Sequence, residues 1–406
     1  MTFFKNGELK HLGIFYLEKF ISSLLFFAPA FWILQFNQNL NLFQIGILFS
    51  VLSITSFLFE IPTGAFADIY GRKASVLFSY FLTAITLIFL AFVTNFYILV
   101  LIFAIWGIAV LIFAIWGIAN TFSSGAKESW VIDNLKFNKK EKLINHFYIK
   151  QQSIIGFSLV ISGILGYFLV GKFDLSIIWV FASISFLISG FMLLFVKEHK
   201  LTKEKKKTFK QLFIQSKKSI KFALNHYTIM LILMATFFIM FRDSFGGDLV
   251  WQPFLNSLGF PIASFGFLFS IITLVSAIAT LFANKLLNTF KNERNYLIFL
   301  LICSMILDFL VFFVNNYYLG IILLILMLVS ISLFMPIGHS YFQKFIPSRM
   351  RATITSFNGM IISLAYAISY PLSGFLADTI TTKYTIILGG LFLIPSLIFY
   401  LKIKNK

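Results

Sequence analysis

The sequence predicts an all-α membrane protein in which twelve transmembrane helices form two pseudo-symmetric six-helix bundles. Three observations support this fold class: the composition, the length of the apolar runs and the position of one basic interruption. Hydrophobic residues make up 59% of the 406 residues, charged residues make up only 12%, and 55 residues are phenylalanine. Because soluble domains carry about 25% charged residues, this chain has too little polar surface for a water-soluble fold.

The apolar runs have the length that membrane-spanning helices need. About 20 continuous apolar residues cross the hydrocarbon core as a helix, whereas barrel strands alternate apolar and polar residues over about ten positions. No cleavage site of small residues follows the first run, so we expect the first helix to be retained. The twelve expected spans are 11–36, 41–65, 74–94, 97–125, 147–170, 175–196, 227–255, 262–284, 296–315, 318–342, 353–376 and 384–402.

The basic residues are distributed unevenly between the two sides of the membrane. With the N-terminus in the cytoplasm, 29 of the 33 lysines and arginines lie at or near cytoplasmic ends and loops. Lys172 and Lys383 lie outside, and Lys19 and Arg242 lie within spans. This asymmetry follows the positive-inside rule. It predicts a multi-pass protein of the cell membrane with both termini in the cytoplasm, and it explains the net charge of +18 without a nucleic-acid partner.

One basic segment divides the spans into six and six. Val196 to Tyr227 contains ten lysines and two glutamates. We therefore expect an N-terminal six-helix bundle at 1–196, a basic cytoplasmic linker at 197–226 and a C-terminal six-helix bundle at 227–406. Ile45–Glu60 also aligns without gaps on Phe265–Thr280. Internal repeats are typical of secondary transporters, which bind substrate between the repeats near the middle of the membrane.

A short polar segment, GAFADIYGRK at 64–73, interrupts the apolar pattern and is expected to form the loop between spans two and three. Here the chain resembles the major facilitator superfamily, whose corresponding loop carries G-x-x-x-D-x-x-G-[RK]-[RK]. The matching residues are Gly64, Asp68, Gly71, Arg72 and Lys73. Ile69 departs from the pattern, because the family often has a basic residue there. With twelve spans and a basic central linker, the resemblance covers the whole chain, and it implies a monomeric, alternating-access transporter without a cofactor.

The resemblance also suggests a carboxylate at the cytoplasmic end of helix four, and Asp133 in GAKESWVIDNL matches that position. Gly64 would let two helices approach closely, and Gly71 would allow a turn that a Cβ opposes. Asp68 would accept N–H groups at a neighbouring helix N-terminus, and Arg72 needs a fixed anion. We therefore expect Asp68, Arg72 and Asp133 to latch the halves in the outward-facing state. The alternative is that the segment is only a positive topological anchor.

Charged residues inside a span are costly and are functional candidates by default. Helix seven contains Arg242 and Asp243, with Asp248 nearer its outer end. Burial opposes ionisation of a carboxylate and a neighbouring arginine favours it, so titration near neutral pH is achievable. We expect Asp243 to carry a coupling proton with Arg242 as its modulating partner. The alternative is a fixed ion pair between helices.

Three other carboxylates lie in the expected spans. Glu60 lies one turn before Gly64 and is expected either to titrate or to join the latch. Glu18 lies nearer the cytoplasmic end of helix one and is a candidate for proton coupling or for the substrate cavity; the alternative is that it extends towards the interface. For Asp308 in helix nine, a hydrogen bond to a neighbouring helix is favoured.

The preferred function from sequence is proton-coupled export of small hydrophobic or amphipathic compounds, because the chain resembles the drug/proton antiporter members of the superfamily. Aromatic residues on the cavity helices, such as Phe27, Trp32, Trp251 and Tyr341, suit flat or cationic molecules. The alternative is proton-coupled uptake of a small nutrient or metabolite. An enzyme is not expected, because the five histidines are scattered without metal-ligand spacing and no phosphate-binding GxxxxGK[ST] motif occurs.

Helix four contains a tandem repeat, in which Leu101 to Ala109 recur as Leu111 to Ala119. The apolar run from Tyr97 to Gly125 would extend about 43 Å as one helix, against about 30 Å of hydrocarbon. We expect the helix to be long and tilted, or to bulge near Val100 to Ile105.

Overall fold

The computed structural model describes residues 4–5, 7–113, 126–199, 219–347 and 350–404, except for the side chains of 60–70, 110–113, 126 and 352. Within these ranges the chain is all-helical and contains no β-strand. The helices are α1 (Glu8–Leu24), α2 (Trp32–Phe36), α3 (Leu42–Tyr70), α4 (Arg72–Phe92), α5 (Phe96–Phe113), α6 (Ala126–Phe137), α7 (Ile144–Val170), α8 (Ile177–Leu194), α9 (Tyr227–Gly246), α10 (Asp248–Ser257), α11 (Phe265–Leu287), α12 (Glu293–Leu310), α13 (Tyr317–Lys344), α14 (Arg351–Thr379), α15 (Thr382–Leu391) and α16 (Leu393–Lys402). Residues up to 199 are called the first half and those from 219 the second half.

Eleven of the described helical segments are long and apolar enough to cross a membrane, and Phe96–Ala109 forms a shorter apolar helix at the place of the expected fourth span. The continuous apolar runs form helices because backbone polar groups in hydrocarbon must be paired within the segment. The predicted fold class is confirmed, and the chain is a multi-pass membrane protein. The side of the membrane where α1 and α9 begin is called the basic face, and the other side the opposite face.

The expected loop at 64–73 is wrong in its extent. Helix α3 continues to Tyr70 and α4 begins at Arg72, so the turn consists of Gly71 alone. Gly71 has φ 104° and ψ 152°, a conformation that disfavours a side chain. Gly64 and Asp68 therefore belong to helix α3 rather than to a loop. The helix continues because nothing before Gly71 requires a positive φ.

The bulge expected in helix four is also wrong, since α5 is continuous from Phe96 to Phe113. The first copy of the repeat is packed into the first half: Phe103 and Trp106 are buried, and the Ala109 carbonyl accepts the Ser79 hydroxyl at 2.6 Å. Gly107 lies against α3, where a Cβ would come within 2.8 Å of the Thr55 Cβ. Most of the second copy lies outside the described residues.

Deleting Leu101 to Val110 is expected to leave expression and transport unchanged. The deletion brings Leu111–Ala119 into the same positions with the same nine side chains, so the contacts of Phe103, Trp106 and Gly107 can be remade. Expression and transport in vesicles provide the measurement. Deleting only Leu101 to Ile105 is the control, because five residues rotate the following helix by about 140°. Loss of folding in the ten-residue deletion would show that the additional turns are needed.

The two halves meet through two helix pairs, α3 with α14 and α7 with α11. Gly46 of α3 lies on the Tyr370 backbone, and Gly163 of α7 lies on Gly266 of α11 with no room for a Cβ. Hydroxyl groups join the same pairs: Ser50 donates to the Ala367 carbonyl at 2.5 Å and Ser270 to the Val160 carbonyl at 2.6 Å. Small residues allow such close helix contacts in membranes. Each of these contacts lies in the part of the spans nearer the opposite face.

Candidate functional site

The motif side chains form contacts within the first half. The Arg72 guanidinium pairs with the Asp133 carboxylate and donates to the Ser129 carbonyl at 2.8 Å. The Lys73 ammonium donates to the Leu194 carbonyl at 2.7 Å. The sequence thus correctly brought Arg72 and Asp133 together, but the pair connects α4 to α6 within one half. Because both residues belong to the first half, this ion pair is not itself a bond between the halves. It is present in a structure whose halves meet near the opposite face.

Glu198 is a partner of the motif that sequence reasoning missed. Its carboxylate accepts the Arg72 backbone N–H at 2.8 Å, at the exposed N-terminus of α4. A Cβ on Gly71 would lie 3.0 Å from the same carboxylate. The segment after α8 is held further by Asn134, which donates to the Lys197 carbonyl at 2.9 Å. The signal in the sequence was a glutamate among lysines at the start of the basic linker.

Glu18 is fully buried, so the alternative that it extends to the interface is wrong, and its role in proton coupling or the substrate cavity stays a prediction. Its carboxylate accepts hydrogen bonds from the Tyr80 hydroxyl and from the Lys127 ammonium. Lys19 is also buried and lies within electrostatic range of Glu18 and Glu128. Two acids and two lysines therefore balance one another in the interior of the first half. This compensation makes interior burial of Glu18 possible.

Arg242 pairs with Asp308 and not with Asp243. The arginine Nε donates to Asp308 Oδ2 at 2.8 Å, and an Nη nitrogen donates to Oδ1. Both side chains are buried, between α9 and α12. Two glycines make room for the pair: a Cβ on Gly246 would lie 3.1 Å from the guanidinium, and one on Gly390 would lie 3.0 Å from the Asp308 Cβ. Arg242 still lies within electrostatic range of Asp243, so its expected role as modulating partner stays a prediction, and Asp308 has the interhelical bond that was favoured.

Asp243 is left with a neutral partner. Its Oδ2 accepts the Tyr366 hydroxyl of α14 at 2.8 Å. Asp243 also lines a cavity of about 120 Å³ inside the second half, together with Arg242, Ser304 and Tyr366. The cavity is large enough for water molecules, and these polar side chains offer them hydrogen-bond partners in an otherwise apolar lining. Asp243 therefore lies beside a space that water can enter, which a residue that exchanges protons requires.

Asp248 begins α10, after the Gly246–Gly247 break that divides the seventh span. Its side chain is exposed to solvent although it lies deep in the protein, within electrostatic range of Asp243, Tyr366 and Tyr370. The rings of Tyr366 and Tyr370 stack at a centroid distance of 5.1 Å. These residues form an acidic and aromatic wall of a water-accessible space between the spans.

Asp378 connects the halves at the opposite face. Near the end of α14, its carboxylate accepts the backbone N–H groups of Leu42 at 3.1 Å and Phe43 at 2.8 Å. These N–H groups belong to the first turn of α3, where a helix leaves its donors unpaired and attracts negative charge. No sequence motif identified this contact between halves.

The remaining predicted residues are only partly described. The side chains of Glu60, Gly64 and Asp68 lie outside the described part of the structure, so their roles stay predictions. The aromatic residues proposed to line a cavity, Phe27, Trp32, Trp251 and Tyr341, are all buried. Among the described residues, no group of three or more His, Cys, Asp or Glu side chains is arranged to hold a metal ion.

Comparisons with known proteins agree with this architecture. The chain matches the model of the Major Facilitator Superfamily over residues 15–307 and 231–406. A curated relative, the uncharacterized MFS-type transporter YxaM of Bacillus subtilis (strain 168), is 25% identical over 396 residues, 94% of this chain and 93% of the relative.

Two solved transporters have a similar fold. The nucleoside transporter NupG superposes with a TM-score of 0.75 at 15% identity, covering 98% of this chain and all of that one. A D-xylose-proton symporter superposes with a TM-score of 0.69 at 14% identity, covering 97% and 98%. At these identities the solved structures establish a shared fold and not a shared substrate.

Proposed function

Because the chain belongs to the major facilitator superfamily and is a transporter rather than an enzyme, we propose that it takes up a small metabolite together with protons. The observation that carries this proposal is Asp243, a carboxylate deep in the seventh span that lines a cavity inside the second half. Its only described side-chain hydrogen bond comes from the neutral Tyr366, because Arg242 is occupied by Asp308. A carboxylate in this setting can exchange its proton with water as the surroundings change.

The direction of transport is proposed as uptake. The fold is shared with proteins named as a nucleoside transporter and a D-xylose-proton symporter, and this favours symport over the export of hydrophobic compounds expected from the sequence. Export is the second candidate, supported by the aromatic character of the wall formed by Tyr366 and Tyr370. The sign of proton movement separates the two candidates.

The orientation proposed for the chain places the basic face and both termini in the cytoplasm of a cell membrane. The contacts of Asp378, Gly46 and Gly163 then close the outer side, and the structure corresponds to an inward-facing state. Two rigid bundles at 1–196 and 227–406, joined by the linker 197–226, would rock about these contacts in a monomer. Asp68 remains the proposed inner latch, and its bond would form when the inner side closes.

The test uses the full chain in liposomes that contain a pH-sensitive dye. Nucleosides, sugars and amines are added outside one at a time. Symport carries protons inwards with the substrate, so the expected result is acidification of the lumen by at least one compound. Alkalinisation would instead establish antiport and replace the uptake proposal with export.

The Asp378 contact is expected to hold the outer side closed. Asp378→Ala removes the acceptor for two N–H groups of α3, and a charge at a helix N-terminus contributes about 1 kcal/mol, so the open population should rise about fivefold. The measurement is the rate of maleimide labelling of Ser50→Cys, a buried interface position, in a Cys303→Ser background. Asp174→Ala, which removes an exposed acid from a loop at the same face, is the control. An unchanged labelling rate would contradict this role.

A further inference from the structure

Building on the proposed transport function, we propose that the second half contains a subsite for the ammonium group of an amine substrate. The subsite consists of Asp248 and Gln252, with the stacked rings of Tyr366 and Tyr370 as an aromatic wall; Asp243 lies beside it as the proposed proton carrier. The substrates that fit this subsite are primary amines that carry a flat ring. The proposal specifies the substrate class, which the fold comparisons leave open.

The two halves differ in how their buried charges are balanced. In the first half, Glu18 and Glu128 face Lys19 and Lys127. In the spans of the second half, Arg242 forms a salt bridge with Asp308. Asp243 and Asp248 therefore remain as two carboxylates without a salt bridge among the described residues, and only Asp243 has Arg242 within electrostatic range. One carboxylate is sufficient to carry the coupling proton, so the other is available to bind a cationic group of the substrate.

Helix α10 supplies hydrogen-bond acceptors that no described donor uses. Asp248 receives no hydrogen bond from any described residue. One turn further along α10, Gln252 is about 94% buried and its Oε1 atom has no donor, since its amide nitrogen donates to the Pro29 carbonyl at 2.7 Å. A buried amide oxygen without a partner is costly. An ammonium group supplies three donors and no acceptor, so it complements this set.

These acceptors lie where the second half faces the first half. Residues four apart share one face of a helix, so Asp248 lies on the same face of α10 as Gln252. The Gln252–Pro29 hydrogen bond shows that this face is directed towards the first half. Asp248 is reached by solvent while Gln252 is buried. A ligand that enters the space between the halves therefore meets the carboxylate first and the amide at its closed end.

Two tyrosine rings of α14 form an aromatic wall near these carboxylates. Tyr366 and Tyr370 stack in nearly parallel planes, 21° apart. Tyr370 also lies 5.3 Å from the ring of Phe49 on α3, across the boundary between halves. Aromatic faces attract cations and accommodate flat rings. Carboxylates next to stacked rings favour an aromatic amine over a neutral sugar.

The experiment measures equilibrium binding of radiolabelled tyramine to the purified full chain in nanodiscs. Its competitor is tyrosol, which has the same ring and chain but a hydroxyl group in place of the ammonium group. Tyramine is expected to bind, and unlabelled tyramine is expected to compete at least about tenfold better than tyrosol, as a charge-assisted hydrogen bond implies. Equal competition by the two compounds, or no tyramine binding, would overturn the subsite.

Three variants test whether Asp248 supplies the negative charge that binds the ammonium group. Asp248→Asn is expected to reduce tyramine affinity about tenfold, Asp248→Glu to retain the preference for tyramine, and Asp174→Asn to match the wild type. Unchanged tyramine affinity in a folded Asp248→Asn variant would overturn the assignment of Asp248 to the subsite. If that variant fails to fold, the competition between tyramine and tyrosol in the wild type decides whether the substrate is an amine. Proton movement driven only by neutral compounds would overturn the subsite and leave the proposed symport intact. Tyramine binding without any proton movement would support the subsite and contradict the coupling.

Discussion

Asp243→Asn is expected to abolish uphill, proton-driven transport while leaving exchange of substrate across the membrane intact. Asparagine keeps an oxygen that accepts the Tyr366 hydroxyl, 2.8 Å from the carboxylate in the wild type, and it mimics the protonated acid. The rearrangement between states can therefore continue, but no proton is carried. We expect the accumulation of substrate to fall at least about a hundredfold, because a transporter that carries its proton on one titrating group has no other group to carry it.

Two assays on the same liposomes separate these effects. Accumulation is measured under an imposed pH gradient, and exchange is measured with equal substrate on both sides and no gradient. Asp174→Asn, which removes a carboxylate from an exposed loop position, should match the wild type in both. Full accumulation by Asp243→Asn would place the proton elsewhere, with Glu60 as the next candidate. Glu18 is less suitable because Lys127 and Tyr80 already occupy its carboxylate.

Sequence reasoning reached the features that depend on local pattern. The length of the apolar runs predicts spanning helices because the bilayer imposes one helix length. Arg72 and Asp133 could be paired because the motif fixes both positions within a family. Gly71 could be identified as a turn residue because its positive φ requires a residue without Cβ.

The features that sequence reasoning missed depend on contacts between distant segments. Arg242 and Asp243 are neighbours in sequence, and this suggested a pair, but neighbours on a helix point about 100° apart. Arg242 instead reaches Asp308, 66 residues away. The solvent access of Asp248 and the position of Asp378 on the first turn of α3 likewise follow from how the halves meet. None of these has a signal within one segment.

The Arg242–Asp308 pair is expected to be structural, and the loss of one partner should destabilise the protein strongly. Asp308→Asn leaves a buried guanidinium with a neutral acceptor, and removing one partner of a buried ion pair costs about 3–5 kcal/mol. Arg242→Met likewise leaves the Asp308 carboxylate buried without its cationic partner. Thermal unfolding of the purified protein in detergent is the measurement, with expression as a second indicator.

The double variant Arg242→Met with Asp308→Leu distinguishes a structural pair from a functional one. Replacing a buried pair by apolar residues of similar size is often close to neutral, so we expect it to unfold near the wild-type temperature and to retain proton-coupled transport through Asp243. Lys344→Ala is the control, because the Lys344 side chain is 58% exposed in its pair with Glu293 and exposed pairs contribute at most about 1 kcal/mol. If the double variant is stable but has lost coupling, the arginine belongs to the proton pathway. If it is as unstable as the single variants, the destabilisation comes from lost packing beside Gly246 and Gly390 rather than from an unpaired charge.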